Sequence, residues 1–130
     1  MPPDVQSQKP RRILVVEDNS DVAEAIVEAL RISGHEVRSA SDGLAALYVL
    51  SEFSPEILLL DIGLPVMDGY ELAERITEKK QDPAPIMIAL SGYGQSFDIE
   101  KNRDARFCAH LVKPIRLDDL LSTLSTLSLD

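Results

Sequence analysis

Four largely apolar runs punctuate the chain, and each stops abruptly at a polar group. Residues 13–16 (Ile-Leu-Val-Val) stop at Glu17 and Asp18, and 57–60 (Ile-Leu-Leu-Leu) at Asp61. Residues 86–90 (Ile-Met-Ile-Ala-Leu) stop at Ser91, and 109–112 (Ala-His-Leu-Val) at Lys113. Short apolar runs without alternation read as strands covered on both faces. A fifth run, Glu36–Ala40, is partly polar and reads as a strand nearer a sheet edge. Between the runs the period changes to that of a helix. Val22, Ile26, Ala29 and Leu30 follow Asn19 or Ser20 as a cap and precede Gly34 as a stop. Leu44, Leu47, Tyr48 and Leu50 follow Ser41 or Asp42, and Tyr70, Leu72, Ala73 and Ile76 follow the Gly63–Gly69 loop. Residues 95–107 predict a short fourth helix with a thin apolar stripe. Leu117, Leu120, Leu121, Leu124 and Leu127 predict a fifth.

Five strands alternating with five helices imply a parallel sheet with helices on both faces and right-handed crossovers. The alternation occupies residues 12–128 as one domain, with residues 1–11 as a flexible lead-in. Residues 1–12 contain Pro2, Pro3, Pro10, Arg11 and Arg12 but no apolar segment of the kind a signal peptide carries.

Charge and composition narrow the function classes. Against 13 basic residues stand 22 acidic ones, a net charge of −9. Nucleic acid and anionic membranes both reward clustered Lys and Arg, so neither is expected as a partner. Cys108 is the single cysteine, so no internal disulfide forms and a reducing, cytoplasmic setting is expected. No apolar stretch reaches the roughly 18 residues that span a bilayer.

In a parallel sheet the four polar strand ends share one edge, where open α/β sheets bind ligands. Three carboxylates crowded there repel, and a hard divalent cation such as Mg²⁺ relieves the repulsion. With the cation bound, Asp61 stays ionised and able to act as a nucleophile. A phosphoryl group attacked by it develops charge on its equatorial oxygens. The cation, the Lys113 ammonium and the Ser91 hydroxyl can each meet one of these, and Gly92 leaves space for the bulk.

With those residues in place the chain resembles a receiver domain of the two-component response regulators. The resemblance rests on Val-Val-Glu-Asp-Asn (15–19), Leu-Leu-Asp-Ile-Gly-Leu-Pro-Val-Met-Asp-Gly (59–69), Ala-Leu-Ser-Gly-Tyr (89–93) and Leu-Val-Lys-Pro (111–114). It implies a flavodoxin-like (βα)₅ fold, an α/β doubly wound parallel sheet of strand order 2-1-3-4-5. It implies Asp61 as phosphoacceptor, Asp18 as a direct Mg²⁺ ligand, Glu17 as a ligand through water and the Gly63 carbonyl as a backbone ligand. Ser91 becomes the switch hydroxyl and Lys113 the phosphate-pairing lysine, followed by a cis bond to Pro114. The partners implied are a sensor histidine kinase or phosphotransfer domain, and a protein target on the face of the fourth helix, fifth strand and fifth helix. A weak homodimer is compatible with the reading. The Gly-Tyr-Gly-Gln loop and the Ala-His-Leu-Val-Lys-Pro run are similar to receivers fused to hybrid kinases.

Such a chain is a switch that assists its own phosphorylation and dephosphorylation, not an enzyme; the alternatives are a hybrid-kinase module or a receiver used only for docking. Two other classes fit poorly. An aspartate-nucleophile phosphatase needs a second acid two residues on, where Gly63 stands. An FMN carrier needs a neutral phosphate loop, where Glu17-Asp18-Asn19 stands. The chain departs from the family at His110, where Phe or Tyr is usual. Tyr93 and Gly63 occupy positions that tune hydrolysis, and a bulky Tyr93 is expected to shield the acyl phosphate. Met67 and Met87 are expected in the core, Cys108 as an inert small residue, and His35 on the surface.

Overall fold

A computed structural model describes residues 10–81, 83–92, 98, 100 and 106–127. In order these form β1 (Arg12–Val16), α1 (Ser20–Ile32), β2 (Glu36–Ala40), α2 (Gly43–Glu52), β3 (Ile57–Asp61) and α3 (Gly69–Glu78). β4 (Ile86–Ser91), β5 (Phe107–Val112) and α4 (Leu117–Thr126) complete the described chain. Most of the helix expected over 95–107 and the position of Tyr93 lie outside the described residues; Phe107, at the end of that span, belongs to β5 instead, and α4 is the helix expected as the fifth. The lead-in through residue 9 lies outside them as well.

All strand pairs are parallel, in the order β2-β1-β3-β4-β5. The continuous apolar runs follow from this position. Alternate residues of each central strand enter opposite cores, so neither set can be polar. On one face Leu14, Val16, Leu58, Leu60, Met87, Ala89 and Phe107 pack with Ala46 and Leu50 of α2 and Leu72 and Ile76 of α3. On the other, Ile13, Val15, Ile57, Leu59, Ile88 and Leu90 pack with Ile26 and Leu30 of α1 and Leu120 of α4. Burying each such aliphatic side chain contributes roughly 1.5–3 kcal/mol. Met67 and Met87 are buried in the first core, as expected.

Local chemistry starts each helix beside the site. The Asn19 side chain accepts from the Asp21 and Val22 N–H groups at 3.0 and 3.1 Å. Asp42 accepts from Ala45 at 2.7 Å and Asp68 from Glu71 at 2.9 Å. Each satisfies a donor that the first helical turn leaves without an internal partner. Gly34, with φ +98°, takes the left-handed conformation that ends α1.

The helix faces differ from the apolar spacing in α2 and at Leu117, the exposed first residue of α4. Leu44 and Tyr48 of α2 are exposed, and the side packed on the sheet is Gly43, Ala46 and Leu50. The segment is apolar nearly all round, so its pattern does not identify which stripe meets the sheet. His35, expected on the surface, is buried. It lies where α1 turns into β2, and its Nδ1 accepts the Arg11 N–H at 3.0 Å across the first two strands' entry. The short turn between two buried elements carries it inward.

Candidate functional site

The backbone ladder places the polar groups. Beyond the last apolar residue of β1, Glu17 N–H still donates to Ala40 C=O at 3.0 Å. Ile62 N–H donates to Leu90 C=O at 2.9 Å, and Lys113 N–H to Ser91 C=O at 2.7 Å. Pairing therefore persists to the carboxyl edge, and Glu17, Asp61, Ser91 and Lys113 inherit fixed positions from the sheet. The order β2-β1-β3-β4-β5 makes the boundary between β1 and β3 a topological switch point.

Glu17, Asp61 and Ser91 are buried, Lys113 is half-buried and Asp18 is exposed. Carboxylate oxygens of Glu17, Asp18 and Asp61 lie within 4.8 Å of one another. The Lys113 ammonium reaches over β5's end to Asp61 Oδ2 at 3.0 Å and also pairs with Glu17 Oε1. Asp61 Oδ1 accepts the Gly63 N–H at 2.8 Å, and Glu17 Oε2 accepts the Asn19 N–H at 3.0 Å. Each buried carboxylate thus has one oxygen on a backbone donor and the other facing the lysine.

The charges perturb one another. Burial pushes the Glu17 carboxyl above the usual carboxylate range; the Lys113 and Asn19 bonds oppose this, and the Asp61 charge adds to it. Burial disfavours the Lys113 ammonium, but its bonds to Glu17 and Asp61 outweigh that and raise its pKa. An all-oxygen set of three carboxylates, two of them paired with one ammonium, suits a hard divalent cation. Glu17 Oε1 is buried and already paired with Lys113, so the convergence of three carboxylate oxygens, rather than an orphaned one, is what fits such a cation.

Of the residues expected in the site, Glu17, Asp18, Asp61 and Lys113 converge directly, and Gly63 joins through its N–H. The Lys113–Pro114 bond is cis. Ser91 closes the set on the β4 side. Its Oγ lies 2.7 Å from His110 Nε2, and burial lowers the His110 pKa. Two supporting residues, legible as a cap and a loop end, have second roles that composition and period do not expose. Asn19 both caps α1 and orients Glu17. Gly69 starts α3 directly against the backbone of Asp61 and Ile62: a Cβ there would meet Asp61 O at 2.6 Å and Ile62 Cα at 2.7 Å.

A five-stranded parallel sheet of this order, with an acidic cluster closed by one lysine at its switch point, defines a flavodoxin-like α/β domain. The chain belongs to the response regulator receiver domain family, whose family model matches residues 13–125, and is thereby a receiver of two-component systems. It is 36% identical to the response regulator receiver protein CpdR of Brucella abortus, over 88% of this chain and 93% of that protein. It is 32% identical to the transcriptional regulatory protein PdtaR of Mycobacterium tuberculosis, over 93% of this chain and 58% of that protein. The chain spans about half the length of such regulators, 58% in PdtaR and 49% in PrrA. The chemotaxis protein CheY4 of Vibrio cholerae shares the fold, with a TM-score of 0.83 at 24% identity, over 92% of this chain and all of that one. No described helix is long and apolar enough to cross a membrane.

Proposed function

We propose that the chain is a phosphoacceptor switch in which Asp61 takes a phosphoryl group from the phosphohistidine of a sensor kinase or phosphotransfer domain. The observation that carries this is the Lys113 ammonium held between Asp61 Oδ2 and Glu17 Oε1 at the carboxyl edge of the sheet. The Asp61 carboxylate forms the new O–P bond as the donor's bond to phosphorus breaks, giving an acyl phosphate. The Gly63 N–H holds Oδ1, so Oδ2 is the oxygen left to attack. Lys113 then moves from Oδ2 to a phosphoryl oxygen, and Ser91 meets another. Glu17, Asp18, Asp61 and the Gly63 carbonyl would hold Mg²⁺, which supplies the positive charge that lets an anionic phosphoryl group approach the carboxylates.

The modification adds about 1.5–2 negative charges to a site built around one lysine. It biases an equilibrium between two surface states, read by a protein target through the face that includes β5 and α4. The chain then signals by contact in the cytoplasm, alone or as a module of a larger protein such as a hybrid kinase. Incubation with acetyl phosphate and Mg²⁺ tests the reading by intact mass. The expected result is a gain of one phosphoryl group that Asp61→Asn abolishes. No gain in a folded protein would overturn it and leave a receiver used for docking alone.

A further inference from the structure

Ser91 and His110 lie on the same face of the sheet. Ala89 is the register partner of His110, and Ser91 that of Val112, so the two side chains are diagonal neighbours. They meet at 2.7 Å between Oγ and Nε2. Ser91 is fully buried, so its hydroxyl is satisfied by protein groups rather than bulk water. One proton serves that hydroxyl, and two arrangements fit the distance. Either Ser91 donates to Nε2, with the imidazole proton on Nδ1, or Nε2–H donates to Oγ and leaves the hydroxyl proton for another acceptor.

The neighbouring site decides between them once a phosphoryl group is present. Phosphoryl oxygens only accept hydrogen bonds. Ser91 can meet one and keep its bond to His110 only if the histidine is the donor. A phenylalanine at this position has no such bond to give. Burial holds the His110 pKa down, which favours the neutral ring in which this choice of tautomer exists.

We propose that His110 is a positioning residue that donates from Nε2 to Ser91 Oγ and so aims the Ser91 hydroxyl proton at the phosphoryl group on Asp61. The hydrogen bonds then run in one direction, from His110 through Ser91 to phosphate. Phosphorylation fixes the His110 tautomer through Ser91, which carries the state of Asp61 to β5 without Ser91 releasing its partner. The relay rests on the phosphoacceptor reading above.

The test uses the isotope-labelled full chain with beryllofluoride and Mg²⁺ as the phosphoryl mimic, with the imidazole nitrogens of His110 followed by NMR. The expected bound state has the proton on Nε2, with nitrogen shifts that differ from those of Ser91→Ala carrying the same mimic. A bound state with the proton on Nδ1 overturns the relay, as do identical His110 shifts in the two proteins. Either result leaves the phosphoacceptor reading standing, provided the Gly63 and Lys113 amides respond to the mimic. If those amides do not respond, both readings fall together. A rate measurement supplies a second criterion. Phosphorylation by acetyl phosphate should be about two- to tenfold slower in His110→Leu, the scale of one net hydrogen bond. His110→Gln, which keeps a side-chain N–H donor, should recover most of it. A leucine variant as fast as the natural protein, or a glutamine variant as slow as the leucine one, overturns the positioning role.

Discussion

Lys113 carries the largest electrostatic load of any single residue in the site, because two buried carboxylates depend on it. Removing it leaves Glu17 and Asp61 facing each other without a counter-charge. Losing one partner from a buried charge pair destabilises strongly, and partial access to water moderates that here. Lys113→Met should therefore lose about 1–3 kcal/mol in urea unfolding without divalent ions. Added Mg²⁺ should restore more stability to this variant than to the natural protein, since the cation replaces the missing charge. Equal Mg²⁺ effects in the two proteins would sink that account. Asp61 and Lys113 were legible in the sequence because each ends an apolar run, where a charge needs a reason. The Ser91–His110 bond was not. It spans 19 positions and depends on the register of β4 and β5, which has a shift between Met87 and Ile88. His35 was illegible for a related reason: only the close approach of Arg11 shows that a histidine in a turn is buried.

Elements hold these residues at their angles. The start of α3 is the tightest case, since Gly69 presses against the backbone that carries Asp61. A methyl group there meets backbone atoms, which cannot swing aside as a flexible side chain can. Gly69→Ala should cost about 1–3 kcal/mol, and it should slow acetyl phosphate labelling because the residue displaced is Asp61. Asn19 offers a contrasting test at the start of α1. Asn19→Ala removes the side-chain cap on Asp21 and Val22 but keeps the backbone N–H bonded to Glu17. The expected loss is about 1 kcal/mol by denaturation, with labelling little changed. The order of the strands in the sheet came from the family resemblance alone, but their positions were readable, because a strand buried on both faces writes itself as an unbroken apolar run. The buried side of α2 was not, because Leu44 and Tyr48 are as apolar as the residues that pack. The lower end of β5 was read short for the same kind of reason. Phe107 and Cys108 follow a charged stretch, and only pairing with Met87 makes Phe107 part of the sheet.

Across the whole molecule, two half- or fully buried histidines couple folding to pH in the same direction. His35 lies at the amino edge of the sheet, opposite the carboxylates. Its pKa is lowered by burial and by the Arg11 charge, with the Glu56 charge opposing. The His110 pKa is lowered by burial. For both, the unfolded chain binds the proton more readily than the folded one. Their contribution to stability is complete above the unfolded value near 6.5 and is lost as pH falls through it toward the lower folded value. Glu17 works oppositely: its raised pKa removes stability as pH rises above the ordinary carboxyl value, so it cannot produce a loss on acidification. His35 can be isolated because its one side-chain hydrogen bond among the described residues needs only an acceptor. Nδ1 takes the Arg11 N–H, so the ring proton of the neutral side chain sits on Nε2, buried and without a hydrogen-bond partner among the described residues. In His35→Asn the side-chain oxygen can take over the Arg11 N–H, while the titration and the unpaired donor's ring both disappear. The variant's unfolding free energy should therefore fall less steeply than the natural protein's between pH 7 and pH 5.5, with the two curves parallel above pH 7.5. Urea unfolding across that range measures it directly. Parallel curves throughout would mean that His35 titrates alike in both states, and that its burial has no hold on the stability of the fold.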